Sequence, residues 1–481
     1  MKNYSCFIVC FVLLFNTGFA QKNNPDTVKM KKDVMQNLQS KYEVYKNIAQ
    51  DIWGFAEVGF KEVKSSALLQ NTLRENGFDV KANVAGMPTA FIASYGSGKP
   101  VIAILAEYDA LPGLSQKATA EKISVEGGTA GHGCGHHLFG TASVAAGIEI
   151  KKLIEQKNFK GTVRVYGCPA EEGGSGKVYL VRDGFFNDVD AAIHWHPDNE
   201  NSVMKGEFLA NSSAKFRFHG VSSHAAASPE KGRSALDAVE AMNNMVNMMR
   251  EHVPQETRIH YIISNGGKAP NVVPDFAEVY YYVRNPKKDN VQQIFERVVK
   301  AAEGAALGTG TTMDFEIVGG THDLLLNNTL DEAMQVNLLK VGGVNYSKDE
   351  IEFGKKIQST FGFKAPPIEE AKLIQPLKFK PGGGSSDVGD VSYTVPTVGL
   401  SAATWFPGTP AHSWQAVACG GTEVGTKGMM VAAKAMSLTA IDLFTNPLLL
   451  QKAKDDFIKA KGDYKYKPLL GNRKPFLNYR D

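Results

Sequence analysis

Cysteine is scarce in this sequence. Of the 481 residues only five are cysteines, and two of them, Cys6 and Cys10, lie in an apolar N-terminal segment. The other three, Cys134, Cys168 and Cys419, are too few and too far apart in sequence to form a disulfide framework. A thiol retained at one of these positions needs another explanation, and metal ligation is one.

An excess of charge of either sign is also absent. The 53 basic and 50 acidic residues are interspersed along the chain and give a net charge of +3. This balance gives no strong positive field of the kind that recruits nucleic acid or anionic lipid. We therefore expect a small-molecule partner and no nucleic acid.

Long hydrophobic runs are lacking as well, apart from a short one near the N-terminus. It covers residues 6–15, follows Lys2, and precedes the small residues Gly18 and Ala20. A bilayer span needs about 20 apolar residues, so this segment is typical of a secretory signal peptide at 1–20. A retained membrane anchor is the alternative. No other stretch suggests a span, so we expect a secreted, periplasmic protein without a membrane partner in its mature form.

Short apolar runs that end in polar loops indicate an α/β fold. Four such runs cover residues 101–105, 162–168, 190–195 and 396–400. Helical patterns separate them, for example over residues 138–155 and 177–183. The alternation predicts a central, mostly parallel sheet flanked by helices. In such sheets ligands gather at the carboxyl ends of the strands, where the polar loops lie.

A change of pattern predicts an inserted domain. Residues 211–322 contain segments that alternate like half-exposed antiparallel strands around a helical stripe. We predict a smaller α+β domain there, inserted between two parts of the larger α/β domain at 21–210 and 323–481. Residues 345–384 are rich in lysine and proline and show weak periodicity, so they are predicted to form a long excursion over the surface. The charged C-terminal segment is predicted to be a solvated tail.

The densest chemical signal is Gly131–His137, which reads Gly-His-Gly-Cys-Gly-His-His. Glycine spacing allows three histidines and Cys134 to fold tightly around one point. Imidazole and thiolate are ligands of borderline-soft metals. A histidine-rich turn without function is the alternative.

A second signal is the pair Glu171-Glu172, which follows an apolar run. Neighbouring side chains of a regular strand point to opposite faces, so both carboxylates can approach one site only if the chain turns there. Pro169 and the glycines at 173 and 174 permit such a turn. One carboxylate could then ligate a metal while the other takes a proton from water. A solvated acidic loop is the alternative.

Histidines occur in two further loops. His194 and His196 share one face at another strand end, and their spacing alone does not separate ligand from bystander. His412 is a lone histidine among loop residues. Together with Cys134 and the glutamate pair, these side chains form an inventory suited to two adjacent metals that activate a shared water.

Five motifs resemble, in order, those of the co-catalytic metallopeptidases and amidohydrolases, a family that includes aminoacylase, carboxypeptidase G and the plant auxin-conjugate hydrolases. They occupy residues 134–136, 169–174, 220–226, 270–275 and 384–389. Residues 106–112, the Trp-His-Pro triplet at 195–197 and the surroundings of His412 most resemble the branch of the aminobenzoyl-glutamate hydrolase B subunit.

This resemblance implies a zinc-peptidase-like catalytic domain with two divalent metal ions, zinc or manganese. Cys134 would bridge them, and Glu171 would act as the general base and later as the acid. His196 is preferred to His194 because its distance from Asp190 matches the family spacing. His137 replaces an aspartate of the auxin-conjugate branch and could compete for metal. The implied metal ligands are Cys134, His136, Glu172, His196 and His412.

The resemblance also implies roles for the inserted domain. It would form a dimer, and His224 would reach into the active site of the partner subunit to stabilise the oxyanion. Asn271 and Arg284 would lie near the substrate carboxylate or the dimer contact, and Ser385 near the substrate. A capping or buried structural role for His224 and a surface ion pair for Arg284 are the alternatives. The sequence leaves a homodimer and pairing with a related subunit both open.

We therefore predict a metal-dependent amidohydrolase. It would cleave the amide bond of a small N-acylated amino acid or dipeptide-like substrate, similar to aminobenzoyl-glutamate, with water activated by the metals and Glu171. Two other functions remain open. One is a non-catalytic periplasmic protein that binds small molecules, and the other is an amidase with Cys134 as the nucleophile.

Overall fold

The computed structural model describes residues 25–157 and 159–480, so the predicted signal peptide at 1–20 lies outside the described residues. The strands are β1 (Asp79–Ala82), β2 (Phe91–Ser97), β3 (Val101–Ala106), β4 (Leu111–Pro112), β5 (Ala130–Gly131), β6 (Gly161–Gly167), β7 (Ala191–Asp198), β8 (Ser202–Val203), β9 (Ala210–His219), β10 (Arg258–Asn265), β11 (Phe276–Asn285), β12 (Thr312–Thr321) and β13 (Thr397–Ala403). The helices are α1 (Pro25–Ser40), α2 (Tyr42–Phe55), α3 (Val63–Glu75), α4 (His136–Lys157), α5 (Glu171–Gly174), α6 (Gly176–Arg182), α7 (Ala235–Met249), α8 (Lys288–Thr309), α9 (Asn328–Val341), α10 (Lys348–Gln358), α11 (Val388–Ser392), α12 (Trp414–Gly420), α13 (Glu423–Thr445) and α14 (Pro447–Lys461).

The catalytic domain is built on a seven-stranded sheet in the order β1-β2-β6-β3-β7-β13-β8. Its four central strands, β6, β3, β7 and β13, pair in parallel, while the strands at both edges pair antiparallel. The predicted α/β class is confirmed. The antiparallel edges make the sheet mixed, and the parallel centre brings the ends of the four predicted strands to one side.

Helices cover both faces of this sheet. In β3 the side chains of Ile102 and Ile104 join the core formed with α4 and α13, whereas Ala103 and Leu105 join the core formed with α6 and α11. A strand that is buried on both faces needs a continuous apolar run. This requirement explains the unbroken sequence Val-Ile-Ala-Ile-Leu-Ala of β3.

Helix α13 departs from the expectation that no stretch after the N-terminal run approaches a membrane span. Within the described ranges it is long and apolar enough to cross a membrane. However, 78% of its most apolar stretch is buried inside the protein. A helix that packs on a sheet and is itself covered by others is apolar all round, so α13 is a core helix here.

The inserted domain is a four-stranded antiparallel sheet in the order β10-β11-β9-β12, with α7 and α8 on one face. Alternate residues of β11, Ala277, Val279, Tyr281 and Val283, are buried under these helices. The elements of this domain cover residues 210–321. The sequence predicts it at 211–322.

The region 345–384 contains a helix that its weak periodicity did not indicate, because α10 begins there with a capping box between Ser347 and Glu350. That signature is readable in the sequence.

The C-terminal segment is not a solvated tail, because after α14 it returns over the catalytic domain. The hydroxyl of Tyr464 lies 2.8 Å from Nε2 of the buried His322, and the hydroxyl of Tyr466 donates to Asp390 at 2.7 Å. Lysines alternate with these tyrosines in the sequence. The aromatic side chains therefore pack inward while the charges remain in solvent, which composition alone does not reveal.

Candidate metal centre and active site

Most of the predicted site residues lie around a cavity of about 550 Å³ between the two domains. Its lining combines the loops that follow β3 and β6 and the end of β7 with side chains of β9 and β11 from the inserted domain. A second cavity of about 680 Å³ lies between the inserted domain and the C-terminal segment, and it is lined by none of the predicted site residues. The chemistry therefore lies at the carboxyl ends of the parallel strands, as expected for this class of fold.

Two triads of ligand atoms share Cys134. The first consists of Cys134, His136 and His196, and the second of Cys134, Glu172 and His412. In each triad the ligand atoms lie within 4.8 Å of one another. Sγ of Cys134 is 3.3 Å from Nε2 of His196, and Nε2 of His412 is 3.1 Å from Oε1 of Glu172. A shared thiolate between two triads is an arrangement that could bridge two cations.

Glycines around Cys134 are required by close packing. Gly135 has a φ of +74°, and a Cβ at this position would lie 2.6 Å from the side chain of Pro197. On the other side, the carbonyl of Gly133 accepts a hydrogen bond from the backbone N–H of His412 at 2.9 Å. The cluster is therefore compact because the loops that carry His196 and His412 contact its backbone directly.

The glutamate pair lies on a sharp turn. Ala170 and Ser175, on either side of the single-turn helix α5, both adopt left-handed backbone conformations, and Glu172 inside it is not helical. The turn directs Glu172 to Cys134 and His412, whereas Glu171 lies with Glu107 and His136. The two neighbouring carboxylates thus approach the same cavity from different sides.

His136 is oriented by Asp109. Its Nδ1 lies 2.8 Å from Oδ1 of Asp109, while its Nε2 lies 3.1 Å from Glu107 without the geometry of a hydrogen bond. With the Nδ1 proton donated to Asp109, Nε2 keeps a lone pair that can bind a metal. Oε1 of Glu172 is likewise buried without a hydrogen-bond partner. These two buried, unsatisfied atoms fit a site for divalent metals.

The pKa shifts of Cys134 and His196 also fit metal ligation. Burial and the nearby Glu172 raise the pKa of Cys134 well above the usual thiol value, so a cation is needed to hold it as thiolate. Burial and His136 lower the pKa of His196 to about 4, which leaves its imidazole neutral. A catalytic cysteine needs the opposite shift, a lowered thiol pKa. The raised pKa of Cys134 therefore argues against a role as a nucleophile.

Glu171 lies outside both triads. Burial and the carboxylates of Glu107 and Glu172 raise its pKa well above the usual range. This half-buried side chain lines the cavity, so it can hold or release a proton beside the metal ligands.

Sequence reasoning gave no role to the charges beneath the site. Lys177 is buried, and its Nζ lies 2.6 Å from a carboxylate oxygen of Glu107 and 2.6 Å from one of Asp387. Asp109 accepts a hydrogen bond from the backbone N–H of Glu172 at 2.9 Å. Glu107 and Asp109 could have been found from the sequence, because they follow the apolar run 101–105 where a buried strand ends. Lys177 gives no comparable signal, because a lysine in a short helix is usually solvated.

Three histidines of the predicted clusters lie outside the triads, and one of them, His132, has its Nε2 3.1 Å from the carbonyl oxygen of Ile52. His194 lines the cavity, but its ring packs on Gly399, where a Cβ would lie 2.3 Å from Nε2. His137 points to the carbonyl of Gly420, at 3.0 Å, and is not directed at the triads. Burial and the neighbouring His132 lower its pKa well below the usual value. Nε2 of His137 is therefore engaged by the carbonyl of Gly420 and does not face the two triads of metal-ligating atoms.

Comparison with known proteins supports a family assignment. The peptidase dimerisation domain of the M20 family matches residues 211–309. The B subunit of p-aminobenzoyl-glutamate hydrolase from Escherichia coli K12 is 43% identical over 446 residues, which cover 87% of this chain and 93% of that protein. The chain belongs to the M20 peptidase family.

Further relatives agree with this assignment. The Xaa-Arg dipeptidase of mouse is 29% identical over 450 residues, covering 89% of this chain and 92% of that protein. Among solved structures, the aminobenzoyl-glutamate utilization protein of Klebsiella pneumoniae matches with a TM-score of 0.60 and 18% identity, covering 85% of this chain and 97% of that one. A dinuclear metal binding peptidase of the M20 family from Bacillus subtilis matches with a TM-score of 0.58 and 18% identity, covering 85% of this chain and 99% of that one. These two share the fold.

The M20 assignment confirms the predicted enzyme class, a hydrolase that acts on amide bonds. Together with the donor triads, it implies divalent metals in the cavity. The matched dimerisation domain is the inserted domain of the structure. The family resemblance and the predicted fold class are confirmed as well.

The substrate-side residues divide into two groups. Arg284 and Ser385 line the cavity, and Nε of Arg284 and Oγ of Ser385 are buried without hydrogen-bond partners. His224 and Asn271 lie together on the exposed side of the M20 dimerisation domain, outside the lining of this cavity. Nδ1 of His224 accepts hydrogen bonds from the N–H groups of Ala226 and Ala227, at 3.2 Å each.

The shared thiol generates a test. Replacing Cys134 by Ser removes a donor from both triads. Loss of a side chain that only supports a metal ligand already lowers metal affinity up to about 100-fold. We therefore expect the metal affinity of this site to fall by about 100-fold or more. The control is Cys168→Ser, because Cys168 is buried but donates to the carbonyl of Tyr166. Metal content after gel filtration measures both. Full metal content in Cys134→Ser contradicts the assignment.

Proposed function

We propose that this M20 protein is a dinuclear metal amidohydrolase that releases an acidic amino acid from an N-acyl substrate similar to aminobenzoyl-glutamate. The observation that carries the proposal is the pair of donor triads sharing Cys134, with Glu171 beside them in the same cavity. The 43% identity to the B subunit of p-aminobenzoyl-glutamate hydrolase supports the substrate class.

Two divalent cations, zinc or manganese, would be held by the triads. Cys134 would contact both, His136 and His196 would complete one site, and Glu172 and His412 the other. Thiolate and imidazole favour zinc, whereas the carboxylate leaves manganese open. When bound, such a pair lowers the pKa of water and polarises a substrate carbonyl.

Glu171 would perform both proton transfers. Its carboxylate takes a proton from the water whose oxygen bonds to the amide carbon. The same proton then passes to the amide nitrogen as the C–N bond breaks, giving a carboxylic acid and a free amine. The raised pKa of Glu171 suits a residue that carries this proton between the two steps.

Arg284 and Ser385 would bind the amino-acid half of the substrate. Both present buried donors to the cavity that lack partners within the described structure. An unsatisfied buried donor is costly unless a ligand meets it. A carboxylate of the substrate can accept from both, and the planar guanidinium of Arg284 suits bidentate contact.

His224 would act across a homodimer. The side chain is exposed and does not line the cavity of its own chain. In a two-fold dimer formed by the inserted domain, a loop of one copy can reach the site of the other. His224 of a second copy would then donate to the oxyanion that forms on the amide carbon. The neighbouring Asn271 would support this contact or the dimer interface.

A non-catalytic binding protein is the weaker candidate. A protein that only binds needs no proton carrier, yet Glu171 lies next to both donor triads with its carboxylate in the cavity. The 43% identical relative is named as a hydrolase. Both observations favour turnover.

The reaction would take place outside the cytoplasm. The N-terminal residues 1–20 have the pattern of a cleaved signal peptide. The three cysteines of the mature chain are buried and free. A periplasmic location would expose the enzyme to amides from the surroundings.

The reaction is tested with N-(4-aminobenzoyl)-L-glutamate. We expect metal-loaded enzyme to release glutamate, chelation to stop it, and added zinc or manganese to restore it. Glu171→Gln should lower turnover by about 100- to 10,000-fold while metal content is unchanged, because a general base supplies that factor. Glu172→Gln should lose metal as well as activity. Retained turnover in Glu171→Gln would exclude Glu171 as the base.

Subunit mixing tests the role of His224. The variants Glu171→Ala and His224→Ala should each be almost inactive alone. After dissociation and random reassembly, half of the dimers contain one site with both side chains intact, so activity should return to about a quarter of wild type. If His224 acts within its own chain, no reassembled site is complete and activity stays at the level of the parents.

Signal cleavage is tested by the mass of the exported protein. We expect the periplasmic fraction to contain a chain that begins at Gln21, because the small residues Gly18 and Ala20 precede that bond. Replacing Ala20 by a bulky Phe should leave uncleaved precursor. A cytoplasmic protein that retains residues 1–20 contradicts the proposal.

A further inference from the structure

The C-terminal strap, residues 473–480, runs from the inserted domain to the active site. Arg473 donates to the carbonyls of Ile317 and Val318 in β12, the latter at 2.6 Å, and its own carbonyl accepts from Arg182 at 2.6 Å. At the other end, the ring of Tyr479 packs edge-on against Phe60, with 5.6 Å between centroids. The strap is thus fixed at both ends by contacts with the body of the protein.

The end of the strap lies on the glutamate turn. The hydroxyl of Tyr479 donates to the carbonyl of Glu172 at 3.0 Å, and the guanidinium of Arg480 donates to the same carbonyl. At Gly173, where φ is +90°, a Cβ would lie 3.7 Å from the Tyr479 ring. The last described residues therefore contact the backbone of a proposed metal ligand.

Arg480 keeps donors free for a ligand. It lines the same cavity as Arg284 and the donor triads, and its Nε is buried without a hydrogen-bond partner. A guanidinium has five N–H donors and stays charged at all relevant pH values. A cation with unused donors in a cavity calls for an anionic group.

We propose that Arg480 binds a carboxylate of the substrate and makes this site selective for acidic amides. The proposal rests on the proposed amidohydrolase function, which leaves the binding of an acidic substrate to Arg284 and Ser385. Arg480 adds a second cation, from the side of the glutamate turn, whereas Arg284 belongs to the inserted domain. Two cations on different walls match an amino acid with two carboxylates, because each guanidinium can form a paired contact.

A purely positioning role for Arg480 makes a different prediction. If the side chain only holds the Glu172 carbonyl, its loss affects metal binding and every substrate alike. If it binds a carboxylate, its loss affects only substrates that carry that carboxylate. The two roles are separated by changing the enzyme and the substrate together.

The experiment compares Arg480→Gln and Arg480→Lys with the control Lys474→Gln, which removes one exposed positive charge from the same strap. The substrates are N-(4-aminobenzoyl)-L-glutamate, its α-carboxamide and its side-chain carboxamide. We expect Arg480→Gln to lower kcat/KM for the diacid about 10- to 100-fold, mainly through KM, the usual effect of a hydrogen bond to a charged group. One carboxamide should show no further loss, which identifies the carboxylate bound. Arg480→Lys should retain part of the activity, and Lys474→Gln all of it.

Binding and metal content complete the test. Calorimetry with L-glutamate on the metal-loaded proteins should show the same weakening in Arg480→Gln, and metal content should equal that of wild type. An equal loss on all three substrates, a loss of metal, or unchanged glutamate affinity overturns the proposal. If wild type hydrolyses none of the amides, the proposed function fails, while glutamate binding still decides the role of Arg480.

Discussion

The hydrogen bonds of the Asp109 carboxylate hold the site together. One oxygen pairs with Nδ1 of His136 and the other accepts the backbone N–H of Glu172. This side chain thereby joins the loop after β3 to the first turn of α4 and to the glutamate turn after β6. Burial alone would raise the pKa of Asp109, but His136 holds it below its usual value, so the carboxylate stays charged. Asp109 thereby positions one metal-ligating residue of each triad, His136 in the first and Glu172 in the second.

The charges beneath the site are balanced in the same way. Lys177 is buried between Glu107 and Asp387, and a buried cation is tolerated only when carboxylates pair with it closely. The pairing fixes Glu107 beside His136 and Asp387 beneath the start of α6. The paired charges therefore hold the residues beneath the cavity in place, while the wall from the inserted domain belongs to a separate core.

Much of the fold was predictable because its signals are local. Apolar runs such as Val101–Leu105 and polar strand ends reveal a parallel sheet without any knowledge of contacts. The failures had physical reasons. Helix α13 is mostly apolar because most of it is enclosed, and the C-terminal segment is charged although Tyr464 and Tyr466 are half-buried. In both cases the deciding factor was what covers the segment, which neither length nor composition records.

The sequence by itself determined the chemistry of this protein: glycine-spaced histidines with one thiol, two adjacent carboxylates and the motifs of a family. These are properties of short segments, and short segments are fixed by local geometry. Only the tertiary structure decided that Cys134 belongs to both triads, that His196 joins it while His194 packs on Gly399, and that Arg480 returns to the cavity. Each of these contacts joins segments that are far apart in the chain, and only packing around a common core brings such segments together.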